Sequence, residues 1–193
     1  MKKDQSSSGQ SLLEFAIILP LILALVLGVI EVGYGLLDLH VITKLAREGS
    51  NLISRNTTLT DTGAAMQSMR TRPVNFAAGG GSKLILSVIK KGTAGTPNGG
   101  FDILYQRLEV GNIAKSSVLT TAAGSGSWSG TDYTAPNADT NTSLRVTAGL
   151  PANLVSVNGF VYITEIWSRH TLITPFDKFG VAVPQFLYSI AYF

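Results

Sequence analysis

The chain has 193 residues, 45% of them apolar and only 14% charged, with a formal net charge of +3 and no cysteine. That length holds one membrane helix and one modest domain. The missing cysteines exclude disulfides and cysteine-based zinc or redox sites, and the absence of any Lys/Arg cluster argues against a nucleic-acid surface.

In chain order, residues 1–9, MKKDQSSSG, form a polar leader, and an apolar run follows. Phe15 to Ile30 carries no charge, Glu31 interrupts, and apolar character resumes to Leu37. As a helix, Phe15 to Leu37 spans roughly 35 Å, enough for a ~30 Å hydrocarbon core. A secretory signal has a shorter apolar core, of about 7–15 residues, and a small-x-small cleavage site after it. Neither feature fits here, so the segment reads as a retained anchor or filament core. Lys2 and Lys3 favour a cytoplasmic N-terminus, although Lys44 and Arg47 beyond the span weaken that contrast.

Pro20 removes a backbone donor and opposes the carbonyl of Ala16, which predicts a kink or local loosening. Ala24 and Gly28 make one small-xxx-small pair, and Gly33 and Gly35 add flexibility. Glu14 stands at the lip of the apolar run with Phe15 just inside it. A carboxylate there is costly unless it has a partner. Taken alone it reads as a snorkelled carboxylate or one that complements the helix dipole. Glu31, near the outer end, reads as solvated or snorkelled.

An apolar stripe through Leu39, Ile42, Leu45, Ala46, Gly49, Leu52 and Ile53 carries the helix on to about Ser54. A short second helix is expected over 61–70, with Thr60 or Asp61 as N-cap. Gly79–Gly81 then breaks the chain. Strands are expected at Lys83–Lys90 and Phe101–Val110, the latter with Leu104, Leu108 and Val110 on one side. Others are SLRVTAGL, GFVYITEIWSRHTLI and the closing FLYSIAYF. Residues Ala122–Thr142, rich in Gly, Ser, Thr, Asn and Asp, read as a long exposed loop. The fold class is therefore α+β: a leader (1–9), a membrane helix with its extension (10–55), and a β-rich domain (56–193) in which a small antiparallel sheet packs on the helix's outer half.

Chemistry is sparse. His40, by the end of the membrane helix, and His170, on a strand, lack a spaced carboxylate or second histidine. No nucleophile elbow, His-Glu-x-x-His or phosphate loop occurs, so neither catalysis, a metal nor a cofactor is expected. Asp132 and Asp139 lack calcium-loop spacing and read as solvated. Trp167 reads as core, whereas Trp128 and Tyr133 in the long loop are candidates for contact with a surface or glycan.

Gly9, Glu14-Phe15, Pro20, and Gly28 with Glu31 together resemble the TadE-like family, minor pseudopilins of the tight-adherence (Flp-type) pilus system. The continuation HVITKLAREGSNLISR and the later FVYITEIWSRHTLITPF are similar to that family as well, while Thr57 to Asn158 matches nothing recognisable. The resemblance implies a pilin-like fold and cleavage by a prepilin peptidase between Gly9 and Gln10. Glu14 would then be the fifth residue of the mature chain and would meet the N-terminal amine of a neighbour. Phe15 would stand beside it in assembly.

The implied partners are the peptidase, other pilins and pseudopilins, the inner-membrane assembly machinery and lipid. The implied function is assembly of a surface pilus used in adhesion. The implied location is a single pass through the bacterial inner membrane with the domain outside, and possible surface display in the pilus. Relatives carry more Lys or Arg in the leader, where this chain has Ser6-Ser7-Ser8. The alternative reading is a membrane-anchored extracytoplasmic binding module that never enters a filament.

Overall fold

A computed structural model describes residues 7–69, 71–122, 128–179 and 184–193. Most of the leader, with Lys2 and Lys3, lies outside the described residues, as do Arg70 and residues 123–127 of the long loop. Two units pack within themselves: Met1–Leu37 with Thr171–Pro184, and Asp38–His170 with Gln185–Phe193.

One helix, α1 (Ser7–Ser54), is helical throughout, Pro20 included. A second, α2 (Leu59–Ser68), follows. It begins two residues before the expected start because Thr58 is the cap, accepting from the Asp61 N–H at 3.0 Å. Asp132 supplies a second cap from far along the chain. Its carboxylate accepts from the N–H groups of Leu59 and Thr60, each at 3.0 Å. The first N–H groups of a helix have no partner inside it, and only the fold brings this one.

The strands are β1 (Ser82–Lys91), β2 (Asp102–Val110), β3 (Thr120–Thr121), β4 (Val146–Ala148), β5 (Phe160–Arg169) and β6 (Phe186–Tyr192). Four of them form an antiparallel sheet in the order β2-β1-β5-β6, and β3 pairs with β4. The long apolar helix followed by an antiparallel sheet is the α+β arrangement expected.

In the second unit, Ile42, Leu45, Ala46 and Ile53 of α1 share a core with Leu84, Leu86, Leu108 and Ile166. The three-and-four spacing puts those helix residues on one stripe, and the period of two puts the strand residues on one face. Where α1 crosses β5 it approaches through Gly49. A Cβ there would stand 2.8 Å from Thr164 Oγ1 and 2.9 Å from its Cγ2. A Gly49→Ala chain is therefore expected to lose about 1–3 kcal/mol by overpacking, read as a lower urea midpoint for the full chain in detergent.

The expectation for β2 needs correction. The register shifts between Val88 and Ile89: Val88 pairs with Gln106 but Ile89 with Leu104. The extra residue, Tyr105, reverses the alternation. Leu108 stays in the core under α1, whereas Leu104 joins Ile89 and Ile163 on the other face.

The long loop is also corrected. From Trp128 onward it packs: Ala135 and Ala138 are buried with Ile103 and Leu144. Asp139 bonds to Lys90 Nζ and to the Thr93 N–H, both at 3.1 Å. The Thr93 N–H, with Lys90 second, holds its carboxyl below the usual range. A polar composition reads as solvated, but these polar groups are used inside the fold.

Candidate functional site

Every Leu, Ile, Val, Phe and Tyr from Leu12 to Leu39 is exposed. A helix apolar on all sides belongs in lipid or among other helices, and α1 is long and apolar enough to cross a membrane. Gly9 and Gln10 are exposed residues of its first turns, and among the described residues nothing beyond the helix's own backbone lies within 4 Å of where a Gly9 Cβ would stand. Gln10 Nε2 donates to Glu14 Oε1 at 3.0 Å, and both side chains are exposed. Phe15, next along, is exposed too. The first turn of α1 contains no acid, so Glu14 is not placed to cap the helix dipole of this chain. The structure thus brings Gln10 and Glu14 together, with Phe15 beside them and Pro20 further along the same helix.

Glu31 overturns its reading as a solvated or snorkelled carboxylate, being only 3% exposed. The segment that returns 143 residues later covers it. Its Oε2 accepts from Thr174 Oγ1 at 2.6 Å, from the Thr174 N–H at 2.9 Å and from the Ile173 N–H at 3.1 Å. A carboxylate with several such donors is well satisfied even away from water. One turn earlier, Gly28 leaves room for Phe176, whose ring would stand 3.8 Å from an added Cβ.

Glu31→Ala is expected to free this segment. Hydrogen exchange at Thr174 should rise by at least tenfold, since hydrogen bonds to a charged group contribute about 1.5–3 kcal/mol. Unchanged exchange at Thr174 would remove the clamp from the account.

In the second unit, His170 follows β5 rather than lying in it, and it is buried. Its Nδ1 lies 3.2 Å from Asp38 Oδ2, also buried. Sequence reading found no carboxylate for this histidine because the partner stands 132 residues away. His40 remains exposed on α1.

Trp128 is corrected as a surface-binding candidate. It is half-buried against two core clusters, donates Nε1–H to the Leu104 carbonyl at 3.4 Å, and carries the Arg107 guanidinium 5.3 Å from its ring centroid. Tyr133 stays exposed, at φ 57° in a short 3₁₀ turn. Trp167, expected in the core, is half-buried and lies against Tyr188 with ring centroids 4.3 Å apart. Among the described residues, no three His, Asp or Glu side chains gather where a metal ion would bind.

Sequence reading also missed a polar cluster on the sheet face away from α1. Glu165 is fully buried and accepts from Ser117 Oγ, and at 2.9 Å from both the Val118 N–H and Tyr188 Oη. Arg107 donates to Ser87 Oγ at 3.2 Å and to Ser117 Oγ at 2.9 Å. Burial pulls the Arg107 pKa below its ordinary value, and the charge of Glu165 opposes that shift. Burial, with Glu165 beside it, pushes the Tyr188 hydroxyl upward, so it stays a donor. These groups tie the sheet to the segment that covers it, since buried charges persist where they are paired and bonded.

Helix and sheet define a protein with one long apolar N-terminal helix, which suggests a membrane anchor, and an antiparallel β-domain. Residues 9–51 match the family described as TadE-like protein, the family that the sequence resembles. That match suggests involvement in the tight-adherence (Tad) pilus system, and the family is structural rather than enzymatic. It ends within α1, before the sheet begins. No curated protein and no solved structure matches the chain.

Proposed function

We propose that the chain is a minor pseudopilin that takes part in assembling a tight-adherence surface pilus used in adhesion. A prepilin peptidase cuts it between Gly9 and Gln10. The mature chain sits once in the bacterial inner membrane, N-terminus inside and β-domain outside, until the assembly machinery packs it among other pilins and pseudopilins. The observation that carries this reading is the contrast between two carboxylates. Glu31 is satisfied within its own unit, whereas Glu14 is exposed at the start of the apolar stretch of α1 and accepts from one neutral amide, that of Gln10. A membrane carboxylate in that position calls for a cation. Cleavage after Gly9 would create one, the α-amine of a neighbouring chain. That bond lies in the first turns of α1, where Gly9 lowers the cost of opening the helix.

The test is the mass of the mature N-terminus after expression with and without the peptidase. Peptidase-dependent loss of residues 1–9 is expected, and an intact leader beside active enzyme would overturn the reading. A binding module outside any filament rests on the long loop with Trp128 and Tyr133; Trp128 is packed against the core, and Tyr133 alone stays exposed.

A further inference from the structure

The two edges of the four-stranded sheet are treated differently. The β2 edge is covered: the Ala135 N–H donates to the Tyr105 carbonyl at 2.8 Å, and bridges join Ile103 to Arg145 and Gln106 to Thr134. The β6 edge is bare among the described residues. Tyr162 and Phe193 exchange both backbone bonds, and the His170 N–H donates to the Gln185 carbonyl at 3.0 Å. Antiparallel bonding alternates, so residues 187, 189 and 191 turn their backbone groups to β5 and residues 188, 190 and 192 turn theirs away. No described group bonds the backbone of Tyr188, Ile190 or Tyr192 on that side.

Edges are normally blunted by Lys, Pro, a bulge or a covering loop. The strand FLYSIAY has none of these residues, and its pairing with β5 shows no register shift.

Beside this edge runs α1. Thr43 accepts from Ser189 Oγ at 3.2 Å, and Ser50 donates to the Ala191 carbonyl at 3.1 Å. A groove of about 360 Å³ lies between the next helix face and Phe193, and His40, Lys44, Arg47 and Glu48 line it. Lys44 and Arg47 are both exposed, and among the described residues neither makes an ion pair.

We propose that the β6 edge and this groove form a strand-addition site for an extended, acidic segment of a second protein. The backbone of Tyr188, Ile190 and Tyr192 supplies the ladder that recognises an extended strand. Lys44 and Arg47, set against Glu48 alone, supply the charge that selects acidic side chains. A second β6 is the poorer occupant, because it contains no acid and leaves both cations unmatched. The site stands on the second unit alone and does not depend on the pilus reading.

The full chain, in nanodiscs of neutral phosphatidylcholine, is titrated with a fluorescent ten-residue peptide of alternating Glu and Val, followed by anisotropy. Binding at least tenfold tighter than that of an alternating Lys-Val peptide, or of the Glu-Val peptide with N-methylated backbone, is expected. Ile190→Pro removes an outward N–H without touching a bond to β5, and should weaken binding about tenfold. Lys44→Glu with Arg47→Glu, at exposed positions, should reverse the preference to the Lys-Val peptide even if the proline variant fails to fold.

Equal binding of the N-methylated peptide overturns the proposal. So does a concentration-dependent dimer in sedimentation that Ile190→Pro alone abolishes, which makes a second copy the occupant. A charge reversal that changes only the response to added phosphatidylglycerol assigns the cations to lipid and overturns it likewise.

Discussion

Replacing Glu14 by Gln is expected to stop pilus assembly while leaving insertion and leader removal intact. Gln keeps the shape of Glu and its hydrogen bond with Gln10, so α1 itself does not change. What it loses is the charge. Under the proposed function, the neighbour's α-amine is then drawn into an apolar setting with no counter-ion. Breaking a buried pair by removing one partner costs about 3–5 kcal/mol, which is roughly two to three and a half powers of ten in an assembly equilibrium. Counting pili by electron microscopy in a strain carrying only the variant measures this, with the mass of the mature chain as control for processing. Normal piliation would set aside the assembly role of Glu14. Glu31→Gln makes a useful contrast, because its effect should be read at Thr174 and not in leader removal.

Truncating Glu165 is expected to cause the largest loss of stability in the β-domain. Glu165→Leu removes the acceptor of Ser117, Val118 and Tyr188 together, and leaves Arg107 buried without the stronger of its two opposite charges. The expected cost is about 3–5 kcal/mol, a large share of the ~5–15 kcal/mol by which a domain is held folded. Urea unfolding of the full chain in detergent, followed by tryptophan fluorescence, measures it. The double variant Glu165→Leu with Arg107→Leu should recover most of the loss, since removing both charges removes the uncompensated one. A double variant as unstable as the single one would show that the hydrogen bonds, rather than the charge, carry the cluster.

Much of this chain is legible before folding. An uncharged run longer than a secretory core predicts α1, and a stripe at three- and four-residue steps extends it to Ser54. Alternation and β-branched residues predict the four sheet strands, three of them to within one residue at each end, while β5 stops at Arg169, four residues short of its expected end. These signals are local: a helix or strand displays its buried side within a few residues. The resemblance to TadE-like proteins is local as well, and the matching segment is the helix itself.

Other features depend on residues far apart in sequence. One extra residue in β2 puts Leu104 and Leu108 on opposite faces, and alternation alone does not show where a bulge falls. Trp128 looks like a loop tip until Leu104 accepts its N–H. His170 seems to lack a carboxylate until Asp38 reaches it.

The opposite fates of Glu14 and Glu31 show where that division lies. Composition alone determines that both carboxylates stand in or beside a helix too apolar for water. Only the return of the chain decides that Thr174 and Ile173 cover Glu31. The physical reason is range: apolar periodicity is written in neighbouring residues, whereas the hydrogen-bond partner of a buried charge is chosen by the tertiary fold.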